Sequence, residues 1–171
     1  MTDEASIRPA IDSDREAIWQ IFREIIAAGE TYPIDRGISR EAALSYWFQK
    51  EARVYVCELK PSSSVAADAV RGSYTLHANQ SGGGSHVANA GFIVSQAARG
   101  RGVGRAMGEH CLNEARRLGF RAIQFNFVVS SNEAAVKLWQ ELGMKIVGTL
   151  PGAFHHPRKG YIDVYVMYRE L

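Results

Sequence analysis

The fold of this chain is decided by residues 92–105, which read FIVSQAARGRGVGR. The apolar start of the segment predicts a β-strand, and the residues from Val103 onward predict a helix. Gly100 and Gly102 stand between them and Gly104 is the second residue of the predicted helix; alternating glycines let the backbone turn tightly while exposing N–H groups. The helix N-terminus adds unpaired N–H groups and a partial positive charge. The segment therefore predicts a strand, a loop that binds an anion such as a diphosphate, and a helix.

Three classes of diphosphate-binding loop use glycines in this way. A mononucleotide loop requires G-x-x-x-x-G-K-[ST], a string that the sequence does not contain. A dinucleotide loop requires G-x-G-x-x-G and an acidic residue on the next strand. Met107 stands where the third glycine would be, and residues 123–129 include no acidic residue, which weakens the dinucleotide interpretation. The third candidate is the diphosphate of coenzyme A.

The segments around the loop predict a mixed sheet. Three apolar segments predict an antiparallel meander that leads into the loop, at residues 53–59, 70–78 and 86–94. After the loop, a helix is predicted over residues 103–118 and a strand over 122–129. A crossover helix of this length joins parallel strands. We therefore expect the strands on either side of this helix to run parallel.

The C-terminal part of the sequence predicts one more helix and two more strands. Ser130 and Glu133 fit a capping box that begins a helix. Strands are predicted at residues 144–150 and 161–169, with a loop over residues 151–160 between them.

The whole chain, residues 1–171, is expected to form one α/β domain. Together with a short first strand and two N-terminal helices, the segments predict a mixed, mostly antiparallel sheet of about seven strands with about four helices. Within the strand that follows the crossover helix, period-two alternation predicts one shared apolar face for four residues, namely Ile123, Phe125, Phe127 and Val129.

Composition predicts an ordinary soluble globular domain. Apolar residues make up 46% of the chain and charged residues 22%, and the formal net charge is +2. This balance disfavours nucleic-acid and membrane partners. The sequence contains no apolar run of transmembrane length and no leader-like N-terminal segment, so a cytoplasmic location is expected. Cys57 and Cys111 are expected to be buried free thiols.

Two motifs together resemble the GCN5-related N-acetyltransferase (GNAT) superfamily. Arg99, Gly102 and Gly104 are similar to the [QR]-x-x-G-x-[GA] loop of that superfamily. Residues 131–144, which read SNEAAVKLWQELGM, are similar to its N-x-x-A-x-x-[LF]-[YW]-x-x-x-G-[FM] segment. The resemblance implies the GNAT fold with a splayed parallel strand pair, acetyl-CoA as co-substrate and a possible homodimer.

The resemblance also implies which residues hold acetyl-CoA. Backbone groups at the end of the strand would bind the pantetheine arm, and N–H groups of the glycine loop would bind the pyrophosphate. Nearby arginines are placed to meet phosphate charge. The cofactor-binding residues implied in this way are Phe92, Ile93, Val94, Arg99, Gly100, Arg101, Gly102, Val103, Gly104, Arg105 and Asn132.

The acid and base of acetyl transfer are less evident from the sequence. Many members of the superfamily use a tyrosine as the acid, at the position of Trp139 here. An indole N–H is not a useful proton source, so Trp139 is expected to pack instead. His86 lies near the position of a glutamate base in some protein-acetylating relatives, and Glu30 is a second candidate. Both residues also fit ordinary surface positions, and an α-amine with a pKa of about 7.7–8.0 needs no strong base.

Three asparagines carry a narrower resemblance, to members of the superfamily that acetylate proline analogues. By this resemblance Asn89 and Asn126 bind the acceptor, while Asn126 and Asn132 support the transfer. Asparagine offers both a donor and an acceptor but no base at neutral pH. His86 and Glu30 complete the expected acceptor site.

The loop predicted over residues 151–160 is expected to border the acceptor pocket. It contains His155 and His156, but adjacent side chains rarely chelate one ion and no cysteine or carboxylate accompanies them. We therefore expect no metal.

The expected activity is transfer of an acetyl group to the amine of a small molecule, such as an amino acid or an analogue. Two alternatives remain open from the sequence. The first is a protein N-acetyltransferase acting on an N-terminus or a lysine. The second is a regulatory domain that binds acyl-CoA without turnover, which the tryptophan at position 139 favours.

Overall fold

One seven-stranded sheet forms the centre of the computed structural model, which describes residues 4–60 and 69–171. The strand order is β1-β2-β3-β4-β5-β7-β6. The strands are β1 Glu4–Pro9, β2 Arg53–Lys60, β3 Ala69–Ala78, β4 Val87–Val94, β5 Ala122–Val129, β6 Lys145–His156 and β7 Gly160–Glu170. Only β4 and β5 run parallel to each other, and the other neighbouring pairs are antiparallel. The predicted sheet is thus confirmed.

Four α-helices cover the two faces of this sheet among the described residues. They are α1 Arg15–Ala28, α2 Arg40–Trp47, α3 Val103–Arg117 and α4 Glu133–Glu141. Apolar residues of α1 and α2 form one core cluster with β2 and β4, whereas those of α3 and α4 form another that runs from β2 to β7. No helix among the described residues is long and apolar enough to cross a membrane.

The parallel pair of β4 and β5 separates soon after it starts. The strands are in register only at Val87 with Ala122 and at Ala88 with Ile123. From Ala90 onward, β4 stays paired with β3 and has no strand partner on its other side within residues 4–60 and 69–171. The two strands are therefore unpaired on the side of the glycine loop, as the splayed pair that the resemblance implied.

A β-bulge changes the faces of β5. The pairing with β7 shifts between Phe125 and Val128, so these two residues lie in the same core cluster although they are three positions apart. Phe127 and Val129 pack with Phe154 on the opposite face. The predicted shared face of Phe125 and Phe127 is wrong, because a bulge adds one residue to the two-residue period.

The two terminal strands extend further than predicted. Residues 151–160 were expected to form a loop, but β6 continues to His156 and pairs with β7 at Phe154–Ile162 and His155–Tyr161. One register shift leaves Val147 unpaired between Ile146 and Gly148, and a second falls within residues 151–153. Pro151 is tolerated because β6 is an edge strand and its N–H groups need no partner there.

Helix α4 is capped by Asn132 rather than by Ser130. The Asn132 Oδ1 atom accepts a hydrogen bond from the N–H of Ala135 at 3.4 Å, and the helix begins at Glu133. The predicted Ser130–Glu133 capping box is therefore wrong. Asparagine competes well as an N-cap because its short side chain reaches the same backbone donor.

Glycine in the middle of α3 permits close packing of α4. A Cβ atom at Gly108 would lie 2.5 Å from Leu142 Cδ1 and 3.0 Å from Trp139 Cζ3. A helical glycine costs about 1 kcal/mol relative to alanine, and here that cost allows two large side chains to reach the core.

Both cysteines are buried and free, as the sequence predicts. Burial raises the pKa of the Cys57 thiol to about 11 and raises that of Cys111 further above its usual value. Both therefore remain protonated and unreactive at neutral pH.

Two buried hydroxyl groups on β3 differ in how they are satisfied. Ser73 Oγ accepts a hydrogen bond from Trp47 Nε1 at 3.0 Å and donates to the Tyr55 carbonyl at 2.8 Å. Thr75 is 4% exposed, and its Oγ1 atom has no partner among the described residues. A buried polar group with no partner lowers stability.

These two positions predict opposite effects on the free energy of unfolding. Ser73→Ala leaves the Trp47 N–H unpaired, so we expect a loss of about 1–3 kcal/mol. Thr75→Val removes an unpaired hydroxyl at nearly constant volume, so we expect no loss and a gain of up to about 1 kcal/mol. Urea unfolding of both variants measures the difference. A loss for Thr75→Val as large as that for Ser73→Ala contradicts the assignment.

Candidate active site

A cleft of about 800 Å³ opens where β4 and β5 separate. Seven parts of the chain line it. They are the end of α1 with the segment after it, the end of α2, the second half of β3, the outer half of β4 with the glycine loop, the second half of β5, the start of α4, and the β6–β7 hairpin. The cleft thus joins the predicted anion-binding loop to residues that are distant in sequence.

The backbone of β4 presents alternate residues to this gap. Hydrogen bonds from the Ser95 N–H to Arg71 O and from the Asn79 N–H to Val87 O, both 2.8 Å, fix the ladder between β3 and β4. Since N–H and C=O groups alternate in direction along a strand, Phe92 and Val94 direct theirs into the gap. Ile93 is paired with Ser73 and its side chain packs in the α1–α2 core.

Two polar groups of β4 on the gap side already have partners. The Phe92 carbonyl accepts a hydrogen bond from the Tyr32 hydroxyl at 2.9 Å, and the Ala90 N–H donates to Asn89 Oδ1 at 2.8 Å. Burial raises the pKa of the Tyr32 phenol, so the hydroxyl keeps its proton. These contacts satisfy backbone groups that β5 no longer reaches.

The glycine loop has the geometry that the sequence predicts. Gly100 and Gly102 have φ angles of +75° and +82°, values that other residues adopt only with strain. A Cβ atom on either would meet no heavy atom within 4 Å, so the requirement is one of backbone conformation. Gly102 immediately precedes α3, whose first N–H groups have no partner within the helix.

The three arginines of the loop differ in position. Arg99 is exposed and lines the cleft. Arg105 also lines it, but its guanidinium pairs with Glu141 of α4. Arg101 is not among the described residues that line the cleft.

The predicted asparagines all lie at the cleft. Asn126 is exposed, with its Nδ2 atom 2.6 Å from Asn79 Oδ1 and its Oδ1 atom 2.9 Å from Gln124 Nε2. Asn89 lies across the gap on β4, and Asn132 stands at the start of α4.

The two candidate bases lie in different places. His86 is exposed in the turn before β4 and is not among the described residues that line the cleft. Glu30 lines the cleft and forms an ion pair with Arg158 of the β6–β7 hairpin. This pair joins the segment after α1 to the hairpin across the cleft.

Trp139 is packed in the core, as expected for an indole that cannot serve as the acid. It is 8% exposed, and its ring lies 4.7 Å from that of Phe92 and 4.9 Å from that of Phe125, measured between centroids. These three rings form an aromatic wedge between β4, β5 and α4, beneath the point where the strands part.

Several residues at the acceptor side of the cleft were not singled out from the sequence. Tyr32 and Trp47 pack over Gly91, where a Cβ atom would lie 3.2 Å from Tyr32 Oη. His156 was considered only as a metal ligand together with His155. Strand alternation would have separated them: His155 is exposed and stacks on Tyr161, whereas His156 is buried and lines the cleft.

Comparisons with known proteins agree with this geometry. Residues 15–144 match the model of the acetyltransferase (GNAT) family. The N-acetyltransferase aca1 of Schizosaccharomyces pombe is 31% identical over 152 residues, which cover 82% of this chain and 72% of that protein.

Solved structures share the whole architecture. A GCN5-related N-acetyltransferase from Kribbella flavida superposes with a TM-score of 0.91 at 47% identity and covers 98% of both chains. A phosphinothricin acetyltransferase from Sinorhizobium meliloti, solved in complex with AcCoA, has a TM-score of 0.83 at 23% identity. That match covers 100% of this chain and 89% of the other.

Proposed function

The chain belongs to the acetyltransferase (GNAT) family and is an N-acetyltransferase, and from this premise we propose that it moves the acetyl group of acetyl-CoA directly to the amine of a small molecule. The acceptor class that we propose is an amino acid or an analogue of one.

The shape of the β4–β5 gap supports acetyl-CoA as the donor. The acetyl group arrives on it as a thioester. The N–H groups around Gly102 and at the start of α3 are suited to its diphosphate, with Arg99 beside them. The gap-facing N–H groups of Phe92 and Val94 are suited to the pantetheine arm, as an added strand would be.

The Glu30–Arg158 ion pair is the observation that favours a small acceptor over a peptide. It spans the cleft between the segment after α1 and the β6–β7 hairpin. An extended peptide lying between these two segments would have to break this contact, whereas a small acceptor would not. Tyr32 and Trp47 supply an apolar wall on that side.

Proton transfer in this site needs little help from a side chain. The Glu30 carboxylate is held by Arg158, and Trp139 is packed among aromatic rings. An α-amine has a pKa of about 7.7–8.0 and is partly neutral at cellular pH. We infer that the amine enters in its neutral form and that water carries protons to and from the site.

Asn89 and Asn126 are proposed to bind the acceptor from the two sides of the gap. Each offers an amide donor and an acceptor at the edge of the cleft. Asn132 is proposed to contact the donor near its thioester end while it also caps α4.

An acetyl-transfer screen tests the proposed activity. Release of free thiol from acetyl-CoA is measured with amino acids, proline analogues and peptides with free N-termini as acceptors. Turnover with a small amine and little with peptides supports the proposal. A clear preference for peptides contradicts the small-molecule acceptor, and no turnover with any amine contradicts the proposed reaction.

Gly102→Ala is expected to weaken coenzyme A binding. Alanine at a φ of +82° strains the loop by about 1–2 kcal/mol, and relief of that strain misaligns the N–H groups. We expect the Kd for coenzyme A, measured by calorimetry, to rise about tenfold.

The matched control for this prediction is Gly82→Ala. Gly82 also has a positive φ, +56°, and an open environment, but it lies in a turn outside the cleft. It should lower stability to a similar extent and leave the Kd unchanged. An equal change in Kd for both variants contradicts a role for the loop.

Asn126→Ala is expected to lower kcat/KM for the best small acceptor about tenfold, the loss of one hydrogen bond of ~1.4 kcal/mol. Steady-state kinetics on that acceptor measures the change. The control is Asn113→Ala on the exposed side of α3, which should have no effect. An unchanged kcat/KM for Asn126→Ala removes this residue from the acceptor site.

A further inference from the structure

His156 is the buried histidine of the cleft and has no role in the reaction described so far. It is the last residue of β6, is 4% exposed and lines the cleft beside the β6–β7 turn. A polar side chain this well buried normally has all its hydrogen bonds made, so the partners of its two ring nitrogens are informative.

The Nδ1 atom of His156 is fixed as an acceptor. It receives hydrogen bonds from the backbone N–H groups of Arg158 at 3.1 Å and Lys159 at 3.3 Å. A backbone N–H can only donate, so Nδ1 carries no proton. The proton of the neutral ring is then on Nε2. The hairpin turn thereby holds His156 as a hydrogen-bond donor and prevents it from acting as a base at Nε2.

The Nε2–H donor has no partner among residues 4–60 and 69–171. Because the ring lines the cleft, the natural partner of this donor is an oxygen atom of a bound molecule. A donor in such a position favours a ligand that carries an acceptor oxygen over one that does not.

The charges around His156 favour an anionic oxygen. Arg158 and Lys159 come from the same hairpin and line the cleft with it. Glu30 faces them from the segment after α1 and is the one carboxylate among the described residues that line the cleft. The acceptor side therefore carries two cations and one anion.

The Glu30–Arg158 pair shows which chemical group binds at the hairpin side of the cleft. The Glu30 carboxylate already binds the Arg158 guanidinium, and a carboxylate of a ligand has the same geometry and charge. Arginine binds carboxylates through two parallel N–H groups. Glu30 contacts only one nitrogen of the guanidinium, so the remaining N–H groups of Arg158 and the Nε2–H of His156 are left for a ligand carboxylate while the Glu30 contact is kept.

We propose that His156 and Arg158 bind the carboxylate of the acceptor, so that the enzyme selects amino acids over amines that lack a carboxylate. The proposal rests on the proposed acetylation of a small amine and adds the group by which that amine is recognised. His156 acts here as a residue that binds the substrate away from the reacting nitrogen.

His156→Asn separates this role from folding. The Oδ1 atom of asparagine lies close to the position of Nδ1 and can still accept from the turn, whereas no donor remains at the place of Nε2. For the best amino acid in the screen, we expect KM to rise about tenfold with little change in kcat. For the decarboxylated amine of the same amino acid, which offers this site no acceptor oxygen, kcat/KM should stay within about twofold of the wild type. Thermal unfolding of the variant checks that the hairpin is intact.

Arg158→Gln tests the second contact, and Lys137→Gln is its control. Arg158→Gln should raise KM for the amino acid and leave the kinetics of the decarboxylated amine unchanged, as for His156→Asn. Lys137 is an exposed cation of α4 that is not among the described residues lining the cleft. Its substitution should leave KM and kcat unchanged for both substrates.

The outcomes distinguish this proposal from the one on which it rests. If the wild type acetylates the amino acid and its decarboxylated amine equally well, or if both variants lose activity on the two substrates in parallel, carboxylate recognition is overturned while the acetyltransferase activity stands. If the wild type acetylates neither compound nor any other amine, the proposed reaction itself has failed.

Discussion

Everything in this structure that concerns function depends on one interruption in backbone pairing. β4 and β5 share hydrogen bonds only around Val87 and Ala88, after which the outer half of β4 is left with an open edge inside the sheet. An unpaired edge in the interior is costly unless its polar groups find other partners. The cleft, the cofactor arm that we propose for it and the position of the acceptor all follow from how this edge is satisfied.

Side chains from three parts of the chain keep the edge open. Tyr32 donates to the Phe92 carbonyl, and Asn89 accepts from the Ala90 N–H. Below them the Phe92, Phe125 and Trp139 rings fill the space where β5 would otherwise approach. Trp139 stands where the sequence resemblance implied a tyrosine, and its role in the structure is to form part of this aromatic wedge.

Local sequence patterns predicted most of the helices and strands. They were wrong where the structure depends on a contact between segments that are distant in sequence. The glycine loop, the parallel pair and the packing of Trp139 all followed from motif and chemistry. The faces of β5 did not, because its bulge depends on pairing with β7, and the hairpin at residues 151–160 did not, because an edge position makes proline acceptable. Asn132 is the cap in place of Ser130 because the helix begins at Glu133, one residue after Asn132, whose side chain accepts from the Ala135 N–H.

By itself the sequence determined the order of elements, the loop with glycines at 100, 102 and 104, and the family to which the chain belongs. These features depend on residue type and on spacing over a few turns, so they can be predicted from the sequence alone. Only the tertiary structure decided that Glu30 meets Arg158 across the cleft and that the turn fixes the proton of His156 on Nε2. Such contacts depend on how distant segments and a turn are placed in space, and no local pattern encodes that placement.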